Sequence, residues 1–96
     1  MNVSSLVSII IPTYFRNEQL RSAIRSAQRQ TYSPVEIIVV DDSGERHAEL
    51  VCDEFDVLYI PHEDNRGGNP ARNTGIEAAS GEYIQLALFR RLNSAG

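Results

Sequence analysis

Four β-branched residues in succession, Ile37-Ile38-Val39-Val40, run into the acidic pair Asp41-Asp42 and the turn signal Ser43-Gly44. Side chains alternate across a strand, so an unbroken apolar run needs cover on both faces. A short run of this kind predicts a strand in a parallel sheet sandwiched between helices. Ligands of such sheets bind beyond the carboxyl ends of the strands, which is where Asp41 and Asp42 are delivered. Two carboxylates in that position can accept hydrogen bonds from a ribose or a base edge, or hold a cation.

The rest of the chain fits around that strand. Val7 to Ile11 is a second β-branched run, closed by Pro12 and leading into a loop at Thr13-Tyr14. Asn17 reads as a helix N-cap with Glu18 in the first turn. Leu20, Ala23, Ile24 and Ala27 then recur at helical spacing, with Arg21, Arg25 and Arg29 as an outer, solvated stripe. Gln30 to Pro34 forms a turn. Glu45 to Phe55 carries Ala48, Val51, Cys52 and Phe55 at three- and four-residue steps, predicting a second helix. Val57 to Ile60 is a short strand, and His62 to Pro70 a polar, glycine-containing loop. Ala71 to Ala79 predicts a third helix with Ile76 and Ala79 inward, stopped by Ser80-Gly81, and Tyr83 to Phe89 a fourth strand. The order β-α-β-α-β-loop-α-β is that of an α/β, Rossmann-like, doubly wound and mainly parallel sheet flanked by helices.

At 96 residues the chain is one small domain, with 42% hydrophobic and 23% charged residues in the ordinary globular range. Its formal net charge of -4 argues against a nucleic-acid partner, because phosphate backbones attract basic surfaces. The single Cys52 cannot form an internal disulfide, and no run approaches the ~18 apolar residues of a membrane span. These features predict a cytoplasmic chain. His47 and His62 have no cysteine or carboxylate at ligand spacing, so zinc is not expected.

Five blocks, in this order, resemble the amino-terminal half of family 2 glycosyltransferases. They are Val7-Ser8-Ile9-Ile10-Ile11-Pro12-Thr13-Tyr14, Gln30-Thr31-Tyr32, Glu36-Ile37-Ile38-Val39-Val40-Asp41-Asp42-Ser43, Ala71-Arg72-Asn73-Thr74-Gly75-Ile76 and Gly81-Glu82-Tyr83-Ile84. The resemblance implies a GT-A fold and transfer of a sugar from a nucleotide diphosphate sugar, of UDP or GDP type, to an acceptor hydroxyl. It also implies a divalent cation, manganese or magnesium. Carried over position by position, Pro12 and Thr13 would lie against the nucleoside and Tyr14 would face the base. Asp42 would bond the base edge or ribose with Asp41 beside it shaping the loop, and Arg72 would sit near the base or diphosphate. The loop Asp64-Asn65-Arg66-Gly67-Gly68-Asn69 resembles the one preceding the family's arginine helix. Plainer roles stay open at this point: Tyr14 at the core edge, Asp41 capping the next helix, and Arg72 paired on the surface with Glu77 or Asp64.

The pattern breaks after Leu86. Where the family's strand ends in an acidic, cation-holding DxD-type motif, this chain reads Ala87-Leu88-Phe89-Arg90-Arg91, so residues 87–96 form an atypical tail without the expected metal ligands. The acceptor-binding half and its carboxylate base are also missing from these 96 residues, which predicts no turnover by this chain alone. A half-fold leaves apolar surface bare, predicting a homo-oligomer. The alternative reading is a non-catalytic nucleotide-binding or self-associating module.

Overall fold

A computed structural model describes residues 5–30 and 34–87. Seven elements follow in the order β1 (Val7–Thr13), α1 (Asn17–Gln28), β2 (Val35–Asp41), α2 (Glu49–Cys52), β3 (Leu58–Pro61), α3 (Gly68–Ala78) and β4 (Tyr83–Leu86). All four strands are parallel, in the order β3-β2-β1-β4. β1 and β2 match residue for residue from Val7 opposite Val35 to Thr13 opposite Asp41.

Alternation explains why the central strands are apolar throughout. Ile9, Ile11, Ile37 and Val39 face one way, onto Leu20, Ile24 and Ala27 of α1 and onto Ala48, Val51 and Cys52 around α2. Ile10, Ile38 and Val40 face the other way, onto Ala71 of α3. Each fully buried Ile or Val is worth about 1.5–3 kcal/mol relative to exposure, so these two strands hold most of the driving force for folding. On the outer face of α1, Arg21 pairs with Glu54 at 2.7 Å and Arg25 lies 6.0 Å from the Phe55 ring centroid.

Several expected boundaries move, each for a local reason. The second helix shrinks from the expected Glu45–Phe55 to Glu49–Cys52. The Asp41 and Ser43 side chains take the amides of Ser43, Glu45, His47 and Ala48, and Arg46 turns left-handed at φ 57°. Side chains that capture backbone N–H groups compete with helix. Asn17 is the first residue of α1 and not its cap, since its Nδ2 donates to the His47 carbonyl at 3.1 Å. α3 starts at Gly68, three residues before the expected Ala71, because Pro70 is tolerated in a first turn where its missing N–H is not needed. Ala71 and Gly75 face the sheet and leave Ile76, expected inward, 43% exposed. A Cβ on Gly75 would overlap Ile10 Cγ2, so only glycine allows α3 to seat this closely. The third strand is displaced by one residue, to Leu58–Pro61. β4 has all four residues exposed, as an edge strand that the described helices leave uncovered. The expected continuation of that strand through Leu88 and Phe89, the tail beyond residue 87 and turn residues 31–33 lie outside the described residues.

Candidate functional site

The chain passes from β1 to β2 to β3 on one side of the sheet, then crosses by α3 to place β4 on the other side of β1. At this reversal, beyond the carboxyl ends of the strands, lies a cavity of about 440 Å³. It is lined by Pro12, Thr13 and Tyr14 from the end of β1, Asp42 from the end of β2, and Arg72 from α3, with Asn65, Gly67 and Gly68 as its floor. Residues sixty positions apart in the chain thus share one cleft.

Each lining residue offers distinct chemistry. Tyr14 is 51% exposed, its ring edge-on to Phe15 at 4.9 Å between centroids. Phe15 holds a left-handed φ of 52° and leans on His47 at 4.7 Å, so Tyr14 is braced by an aromatic pair while about half of it stays exposed. Thr13 is 3% exposed, and its Oγ1 has no partner among the described residues. Arg72 donates to Asn69 Oδ1 within its own helix and forms no ion pair among the described residues, so Glu77 and Asp64 are not its partners. Asp64 pairs with Arg66 instead.

The two aspartates divide. Asp41 is not part of the cleft: it is 1% exposed and turned to the α2 side, accepting from Ser43 N, Ala48 N and Tyr59 Oη at 3.0, 2.8 and 2.6 Å. Burial pushes its carboxyl up, but the Tyr59 hydroxyl and the Ala48 and Ser43 amides outweigh this and hold it below the usual range. The loop-shaping role expected for Asp41 has this geometry, on the side of the sheet away from the cavity.

Asp42 borders the cleft but spends its carboxylate on the cleft's own walls. Oδ1 accepts from His62 Nδ1 and Arg66 N at 2.8 and 2.9 Å, and Oδ2 from Asn65 Nδ2 and Gly67 N at 2.6 and 2.8 Å. Burial raises its pKa, yet the amides of Arg66 and Gly67 together with His62 bring it below the ordinary value. Gly67 has φ 104°, a conformation that glycine adopts freely, and this lets the chain turn from the loop into α3. Asn65 and His62 are organising residues that sequence reasoning missed. Their signal was a polar pair just after a short, half-buried strand whose neighbour ends in a carboxylate.

Among the described residues, the cleft offers no donor set for a cation. The four acceptor directions of Asp42 are filled, and no three His, Cys, Asp or Glu side chains gather among the described residues. Among the described residues, no helix is long and apolar enough to cross a membrane.

A parallel sheet with helices on both faces and a cleft at its reversal defines a Rossmann-like α/β domain. Residues 8–87 match the family described as Glycosyl transferase family 2, and the chain belongs to that family. It is 35% identical over 89 residues to glycosyltransferase GlyG of Streptococcus pneumoniae, covering 88% of this chain and 30% of GlyG. It is 32% identical over 88 residues to the uncharacterized glycosyltransferase YibD of Escherichia coli, covering 88% of this chain and 26% of YibD. The chain thus spans under a third of the length of these curated relatives. Among solved structures it is similar to the mannosyltransferase PcManGT from Pyrobaculum calidifontis in complex with GDP-Man and Mn2+. That match has a TM-score of 0.75 at 21% identity and covers 85% of this chain and 26% of that one. The likeness identifies the fold as the Rossmann-like part of a GT-A fold.

Proposed function

We propose that this chain binds the nucleoside diphosphate of a sugar nucleotide in the cleft, as the donor-binding part of a glycosyltransferase that passes the sugar to an acceptor hydroxyl. The observation that carries this reading is the convergence of a half-exposed aromatic side chain and an arginine without an acidic partner among the described residues on one cavity at the carboxyl ends of the strands. In this reading Tyr14 stacks on the base, and Pro12 and Thr13 contact the nucleoside through their backbone. Arg72 meets the diphosphate with a fork suited to paired oxygens. Asp42 supports the site by fixing the floor, and Asp41 supports it from behind by fixing the β2 turn. The GDP-Man held by the similarly folded mannosyltransferase is consistent with this ligand class.

The 96-residue chain binds donor without turning it over in this proposal, since transfer also needs an acceptor site and a base for the acceptor hydroxyl. Calorimetric titration with UDP and GDP, each with and without manganese, tests it. Binding that needs no manganese, and that weakens by about tenfold or more in Tyr14→Ala, supports the reading, since base–aromatic stacking is worth ~1–3 kcal/mol. No heat at millimolar nucleotide sinks it. Bare Tyr83, Ile84 and Leu86 on β4 favour a second reading, a self-associating module, which a monomeric mass by light scattering would refute.

A further inference from the structure

His62 joins three elements through one ring. The side chain follows β3, is 5% exposed, and places Nδ1 2.8 Å from Asp42 Oδ1 and Nε2 2.8 Å from Thr74 Oγ1 in α3. Asp42, held ionised by its amide donors, can only accept, and this assigns the Nδ1 proton to the imidazole. Nε2 then faces a hydroxyl that can donate or accept as required. The same Asp42 carboxylate holds the amides of Arg66 and Gly67, the turn that starts α3. Thr74 lies two residues beyond Arg72 on that helix.

The helix has little freedom besides this link. Next to Thr74, Gly75 sits against Ile10 so closely that a Cβ would overlap it, which stops α3 from moving toward the sheet. The His62–Thr74 bond, with the Asp42 hold on the Arg66 and Gly67 amides, restrains what that contact leaves open, the slide and roll of α3 across the sheet. Arg72 is carried on the same turn, at the cleft wall.

We infer that His62 and Thr74 are positioning residues for the diphosphate end of the cleft, holding Arg72 in place without touching ligand and so setting the preference for a nucleoside diphosphate over its nucleoside. The inference rests on the nucleotide-binding reading above and extends it to two side chains outside the cavity wall. It separates them from purely structural residues, because loss of Thr74 changes selectivity between two ligands that share a base and a ribose.

The test titrates UDP against uridine, and GDP against guanosine, into the wild type, Thr74→Val, Thr74→Ser and His62→Asn. His62→Asn keeps a donor toward Asp42 and drops the reach to Thr74. Thr74→Val and His62→Asn each weaken diphosphate binding by about tenfold, the scale of one lost hydrogen bond to an ordered group, and change nucleoside binding less than about twofold. Thr74→Ser restores the wild-type ratio. Equal losses for nucleoside and diphosphate, or no loss in either variant, overturn the inference. Hydrogen exchange at the Arg66 and Gly67 amides is read on the same proteins without ligand. If the wild type binds no nucleotide, the functional reading fails and exchange decides the positioning claim: faster exchange in Thr74→Val supports it, and unchanged exchange overturns it.

Discussion

At the amino end of the sheet Glu36 accepts from Ser8 Oγ and Ser80 N, while Gly81 N donates to the same Ser8 oxygen at 2.8 Å. At the carboxyl end Asp42 accepts from His62, Asn65 and the amides of Arg66 and Gly67. Both ends use an acid to collect donors from a neighbouring turn. The amino end is tight around Ser8, which is fully buried, and leaves no room for a Cβ on Gly81. The carboxyl end stays open around about 440 Å³, with Thr13 Oγ1 lacking a partner and Phe15 held at positive φ. One device thus serves closure in one place and frames an opening in the other.

Substitutions on each side test that division, beginning with the largest effect. A Cβ on Gly81 would stand 2.7 Å from Leu6 O and 2.9 Å from Ser8 N, both backbone atoms that cannot swing aside. Gly81→Ala is expected to cost about 3 kcal/mol in urea unfolding while the folded fraction keeps wild-type nucleotide affinity. An unchanged midpoint would show that the amino end is not tightly closed. Asp42→Ala leaves two amides, an Asn and a His without their acceptor, and is expected to cost about 2–3 kcal/mol and to abolish nucleotide binding together. Retention of binding in that variant would break the contrast between the ends.

Acid separates the two ends more gently. The Ser8 hydroxyl, then the Ser80 amide, hold the Glu36 carboxyl below its usual value, so its stabilisation is complete above the unfolded pKa of about 4.3 and is lost as pH falls through the lowered folded value. Asp41 and Asp42 are lowered likewise and act the same way below about pH 3.9. Unfolding free energy therefore drops below about pH 4.5, and Glu36→Gln is expected to flatten the upper part of that decline. A Gln variant with an unaltered pH profile would remove Glu36 from this account. The smallest effect concerns Cys52, whose thiol burial and the nearby Asp41 charge push up to about 12. Native protein at pH 8 is expected to resist iodoacetamide, and labelling at the rate of a free thiol would contradict its burial.

What sequence made legible follows range of interaction. β1 and β2 declare themselves because β-branched runs report burial residue by residue, and their register follows from the parallel sheet. The shortened α2 was hidden because its periodicity is real, while the Asp41 and Ser43 bonds that unwind its expected first turn join residues two to seven apart through side chains. Ile76 misled in a related way: the apolar count favours it inward, but helix seating is decided by Gly75 against Ile10, where absence of a side chain outweighs presence of one. Tyr14, Asp42 and Arg72 were named from motifs, and the structure gathers them at one cavity. The His62–Thr74 link belongs to no motif the sequence reading used, and only the fold brings its members within 2.8 Å.

β2 gives Ile37 and Val39 to one helical layer and Ile38 and Val40 to the other, all nearly inaccessible to solvent. Neither layer can melt alone, since stripping either one wets the strand on which its opposite depends. Denaturation by heat or urea is therefore expected to be a single all-or-none event, with far-UV dichroism and the exposure of Cys52 following one curve.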